Sequence, residues 1–130
     1  DYITVIHQGI TSKLSKDSVF GFKTCNGYSY RIIQELDYTI LNPDDSLLIY
    51  EFQPLSVPKN PVLPVYKFSV GSSGQVIDLS ISNIKNIFPE NHNFHDELET
   101  EFSKNTNLLA FDRYHKQYKL VRIFNKYNSK

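Results

Sequence analysis

The hydrophobic period of this chain changes once, just after Leu79, and that change limits the folds open to it. Before it, apolar residues alternate as on a strand with one buried face. After it, they recur every three to four residues, as on a helix. Strands followed by helices predict an α+β fold. The expected form is an N-terminal antiparallel sheet or small barrel of about six to seven strands over 1–79, then three to four C-terminal helices over 80–130. Nine Tyr and nine Phe against a single Ala (Ala110) fit this reading, because aromatic and β-branched residues favour strands.

Local signals place the elements. Tyr2–Ile6 reads as a strand ending before Gly9, and Val19–Thr24 alternates up to Asn26-Gly27. That dipeptide is the strongest short hairpin signal, since both residues tolerate positive φ. Tyr28, Tyr30 and Ile32 then alternate with Ser29, Arg31 and Ile33 on the return strand. Tyr38–Leu41 and Ser46–Phe52 flank Asn42-Pro43-Asp44-Asp45, where Pro43 presets a turn and Asn or Asp bonds its backbone. Apolar residues on both faces of 46–52 predict a central strand. Val65–Val70 and Gln75–Leu79 flank Gly71–Gly74 as another hairpin.

Pro54, Pro58, Pro61 and Pro64 make 53–64 an extended crossing. Dividing the chain there would leave two halves too small to be stable alone, so 1–130 reads as a single domain. The Pro58-x-x-Pro61-x-x-Pro64 spacing matches polyproline peptide ligands, and equally a segment lying on its own domain's aromatic surface, which is preferred.

In the second part, Ser80 and Asn91 read as N-caps. Ile81, Ile84, Ile87 and Phe88 share one helical face before Pro89, and Phe94, Leu98 and Phe102 share another. Asp96, Glu97 and Glu99 are placed in the early turns of that second helix. A short helical turn is expected near Leu108-Leu109-Phe111. The tail from Asp112 to Lys130 fails as a strand because Leu120-Val121 and Ile123-Phe124 are adjacent apolar pairs. Wound as a helix it gathers Tyr114, Leu120, Val121, Phe124 and Tyr127 on one side, with Lys116, Lys119, Arg122 and Lys126 on the other.

Several function classes lose support at once. Lys plus Arg and Asp plus Glu are 14 each, so no global field draws nucleic acid or an anionic membrane. No apolar run approaches the roughly 18 residues of a membrane span. Cys25 is the lone cysteine, which rules out an intramolecular disulfide and Cys-rich zinc sites. Beside a hairpin turn, with only Lys23 near, it reads as an inert thiol. No G-x-S-x-G, P-loop, G-x-G-x-x-G or H-E-x-x-H occurs.

Three constellations remain. His92 and His95, three apart at a helix start with Asp96 or Glu99 nearby and His115 elsewhere, are the candidate metal ligands. The competing reading is a polar, capped helix start. Residues 89–112 carry six acids against Lys104, whereas 113–130 carry six bases and no acid. Lys116, Lys119, Arg122 and Lys126 are therefore either a basic strip for an acidic partner or one side of an internal charge pairing. Tyr28, Tyr30, Tyr38 and Tyr50 are either an exposed aromatic face for sugars or peptides or half-buried sheet residues.

Stretches in order resemble a known group: Val19-Phe20-Gly21-Phe22, Gly27-Tyr28-Ser29-Tyr30-Arg31, Tyr38-Thr39-Ile40-Leu41-Asn42-Pro43 and Leu48-Ile49-Tyr50. Ile87-Phe88-Pro89-Glu90-Asn91 with Phe94, and Asp112 followed by His115-Lys116-Gln117-Tyr118-Lys119, continue the series. Over residues 19–124 the chain is similar to small uncharacterised extracytoplasmic proteins of Bacteroidetes, which are made with signal sequences and have no established activity. The resemblance implies a periplasmic, secreted or envelope-associated location. A chain lacking Met even at position 1 is what signal-peptide removal would leave.

The expectation is a non-enzymatic binding or interaction domain of the cell envelope, with no cofactor. Its partner would be an envelope protein, a peptide or a glycan, bound through Tyr28 and Tyr30. The alternatives are a small metal-dependent hydrolase using the His92/His95 region, and a basic-helix binder of acidic partners using Lys116, Lys119 and Arg122.

Overall fold

The computed structural model describes residues 2–15, 21–25, 27–54, 59, 62–102 and 107–128. Two strands, β1 (Tyr2–His7) and β2 (Ile10–Ser15), form a separate antiparallel hairpin. It turns through Gln8 and Gly9, both at positive φ, the backbone that a two-residue hairpin loop needs. Six further strands form one antiparallel sheet: β3 (Gly21–Lys23), β4 (Ser29–Ile33), β5 (Leu36–Ile40), β6 (Leu47–Phe52), β7 (Val65–Val70) and β8 (Ile77–Asp78). Their spatial order is their chain order, with β3 and β8 at the edges. The sheet is open, so the barrel alternative is set aside.

Among the described residues three helices follow: α1 (Ile81–Lys85), α2 (His92–Glu101) and α3 (Lys119–Asn128). A two-residue pair, β9 (Phe111–Asp112) and β10 (Gln117–Tyr118), precedes α3. The α+β expectation holds. No helix among the described residues is long and apolar enough to cross a membrane.

By contacts the chain falls into two compact units, one of residues 1–43 and 49–66, the other of 44–48 and 67–130. In the first, Tyr38, Ile49 and Tyr50 are buried. The β4–β5 loop is two residues, Gln34 and Glu35, with Ile33 opposite Leu36. Both loop residues have positive φ, a backbone that side chains other than those of Gly, Asn and Asp seldom adopt, which is why composition did not mark this turn. The β3–β4 hairpin is present, but Lys23 faces Ser29, so its loop is five residues rather than two. Thr24 N–H donates to the Tyr28 carbonyl at 2.8 Å and Gly27 takes φ +94°. The expected strand residues Val19 and Phe20 lie outside the described residues, as do Pro58 and Pro61 of the crossing.

The second unit buries Leu47, Leu48, Phe68, Ile84, Phe94, Leu98, Phe102, Leu108, Leu120, Val121, Ile123 and Phe124. Both predicted caps form: Ser80 Oγ accepts from Asn83 N–H, and Asn91 Oδ1 from Phe94 N–H, each at 3.1 Å. The first turn of α2 carries no acid, and Asp96, Glu97 and Glu99 follow in its second turn. β8 is shorter than predicted, and the loop before it runs from Gly71 to residue 76. The turn near Leu108 is present, where Ala110 N–H donates to the Asn107 carbonyl at 3.0 Å.

The tail corrects the sequence reading. Its helix starts at Lys119, not Asp112. Asp112 Oδ1 accepts from the N–H groups of Tyr114 and His115 at 3.0 and 3.1 Å, bending the chain into a turn. Lys116 completes that turn at φ +55°, a backbone no helix can contain. Periodicity could not see this, because a side-chain bond to nearby N–H groups competes directly with helix formation.

Candidate functional site

Strand register decides where each tyrosine points. Residues directly opposite on neighbouring strands share a face. Phe22 faces Tyr30, Tyr30 faces Thr39, and Thr39 faces Glu51, so these four make one row across β3 to β6. The Phe22 and Tyr30 rings stack, with centroids 4.9 Å apart and planes 19° apart. At the other end Tyr66 OH donates to Glu51 Oε2 at 2.8 Å. All five side chains are half-buried, the state in which an aromatic ring retains a surface to offer.

Tyr38 and Tyr50 point the opposite way. Tyr38 faces Arg31, one residue out of step with Tyr30. Tyr38 is 5% exposed and Tyr50 fully buried. Tyr38 packs on Phe52 at 5.3 Å, and Arg31 lies 5.7 Å from the centre of the Tyr50 ring while donating to its hydroxyl at 3.0 Å. Of the two readings of these tyrosines, sheet packing holds for Tyr30, Tyr38 and Tyr50, and the last two are core. Tyr28 lies in the loop before β4 and is 57% exposed. Sequence alternation hinted at the division of Tyr30 from its neighbours, but only the register of β4 on β5 fixes it. Phe22, Thr39, Glu51 and Tyr66 were missed, because their common row is a product of strand pairing.

The histidines have local tasks. His92 and His95 stand edge to face, their centroids 6.1 Å apart. His95 Nε2 lies 3.0 Å from the carbonyls of both Lys85 and Phe88, so it donates to the chain leaving α1. Glu99 pairs with Lys85. His115 sits instead in the β9–β10 turn, its Nδ1 2.7 Å from Asp112 Oδ2. Among the described residues no three His, Cys, Asp or Glu side chains form a group that could hold a metal. Cys25 is exposed.

The basic residues of α3 meet acids. Lys119 pairs with Glu101 at 3.1 Å, Arg122 with Asp112 at 3.2 Å and Lys126 with Glu97 at 2.8 Å. Tyr127 OH also donates to Glu97, at 2.8 Å. A groove of about 610 Å³ runs along these pairs with Ile123 at its side. Lys116, in the turn, is not part of the strip. The internal pairing foreseen for these charges is thus what the structure holds for Lys119, Arg122 and Lys126.

These bonds lower carboxyl pKa values. The Lys126 ammonium holds Glu97 below the usual range, the Lys85 ammonium does so for Glu99, and the His115 backbone N–H leads the effect on Asp112. A carboxyl depressed by folding adds stability above its unfolded pKa, near 4, and that stability is lost as pH falls through the folded value. Thermal unfolding should therefore show the midpoint falling between about pH 5 and pH 2. The same scan on Glu97→Gln should show a shallower fall, since one of the shifted groups is gone.

Comparison with protein-family models, curated proteins and solved structures found no match to this chain.

Proposed function

We propose that this protein is a non-enzymatic, extracytoplasmic binding domain of the cell envelope. Its binding surface is the half-buried row of Phe22, Tyr30, Thr39 and Glu51, with Tyr28 beside it. The observation that carries the reading is the row itself. A stacked aromatic pair stands in line with a hydroxyl and a carboxylate on four paired strands. Sheet positions are held more firmly than loop positions, so such a row is a preorganised surface. The extracytoplasmic setting rests on the resemblance over residues 19–124, and a partner of peptide or glycan type suits an aromatic platform.

The test is thermal unfolding against panels of peptides and envelope glycans, run in parallel on Tyr30→Leu. A ligand at a hundred times its Kd adds about 2.7 kcal/mol, which raises the midpoint of a domain this size by roughly 5–15 °C. The expected result is a rise in the parent protein that Tyr30→Leu loses. Midpoints unmoved by every probe, or moved equally in both proteins, would reject this surface.

A further inference from the structure

The charged residues of β3 to β6 are sorted by face. They are Lys23, Arg31, Asp37 and Glu51. Asp37 lies two residues from Thr39 on β5 and Glu51 opposite Thr39, so both acids belong to the face of the aromatic row. Lys23 is adjacent to Phe22 and Arg31 faces Tyr38, so both bases belong to the other face. On these four strands the face with Phe22 and Tyr30 carries acids and no base. Its carboxylate at Glu51 takes the Tyr66 hydroxyl as a hydrogen-bond donor, a neutral partner that leaves the negative charge in place.

We infer that the occupant of this face is an extended peptide bearing arginine, its guanidinium stacked on the Phe22–Tyr30 end or forked onto Glu51. This rests on the binding reading above and names its ligand. Aromatic faces attract cations through their quadrupole, and a carboxylate beside them supplies the ion pair. Arginine fits better than lysine, because a planar guanidinium both stacks on rings and bonds a carboxylate through two parallel N–H groups. The row spans three strand spacings, roughly 14 Å. That length takes about four residues of extended chain, whereas an isolated small cation would fill one end only.

The experiment is calorimetric titration of the full chain with acetyl-Gly-Arg-Gly-Arg-Gly-amide. The same peptide with citrulline for arginine and a neutral envelope-type oligosaccharide serve as comparisons. Citrulline keeps the shape and removes the charge. The expected result is arginine-peptide binding that weakens at least tenfold with citrulline. Glu51→Gln, which keeps an acceptor for Tyr66 and is nearly isosteric, should weaken it about tenfold, with circular dichroism unchanged. Equal affinity for the arginine and citrulline peptides would overturn the inference. So would oligosaccharide binding that Tyr30→Leu abolishes and Glu51→Gln leaves intact, although the binding-domain reading would then stand. Binding of no probe, or binding indifferent to both substitutions, would overturn the two together.

Discussion

Phe94→Ala is expected to cost the protein about 3–5 kcal/mol, the range for deleting a fully buried aromatic ring. Phe94 lies on the inner face of α2 with no exposed surface. Its ring meets Phe88 edge to face at 5.1 Å and Tyr127 at 5.4 Å, while Phe88 in turn stacks on Phe124 at 5.8 Å. One ring therefore joins the loop after α1 to both α2 and α3. Removing it leaves a cavity among neighbours fixed by their own contacts, so little of the lost packing can be recovered. Urea denaturation should place the midpoint far below that of the parent. Phe94→Leu, which keeps most of the volume, should recover a large part of the difference. A loss under about 1 kcal/mol would mean that this cluster collapses around the gap, contrary to the packing described.

Asn42→Ala is expected to cost about 1–3 kcal/mol, for a different reason. Asn42 is 8% exposed, and its side-chain oxygen accepts from Ile49 N–H at 2.7 Å while Leu41 N–H donates to the Ile49 carbonyl at 2.9 Å. Beyond the pairing of Ile40 with Tyr50, this side chain stands in for a strand carbonyl. Ile49 is itself fully buried, so water cannot replace the lost acceptor, and an unpaired buried donor carries its full desolvation cost. Hydrogen exchange reads the effect locally. The Ile49 amide should lose protection in Asn42→Ala by more than its neighbours do. Uniform loss across the sheet would assign Asn42 a general packing role instead.

These two residues also show how much of the molecule was legible beforehand. Asn42 was visible as a turn residue next to Pro43, and Phe94 as the first apolar position after an Asn91 cap. The Ser80 and Asn91 caps, the Phe94, Leu98 and Phe102 face, and the buried β6 strand all follow from relations within a few residues. Such relations are physically local. A cap bonds an N–H three residues on, and a helical face repeats every three to four.

What the sequence misread or left open depended on distant partners or on a competing local bond. Asp112 turned the start of the tail away from helix by capturing the amides of Tyr114 and His115. The bases of α3 found acids 10 to 29 positions earlier in the chain, at Asp112, Glu101 and Glu97. The candidate site has the same origin. Sequence alone determined the run of strands followed by helices, though not β2, β9 or β10, and supplied Tyr28 and Tyr30 as aromatic candidates. Only the tertiary structure decided that Tyr30 would stand in line with Phe22, Thr39 and Glu51 while Tyr38 and Tyr50 turned into the core. A one-residue change in register exchanges the two faces of a strand, and register is set by pairing across the sheet rather than by any residue within the strand.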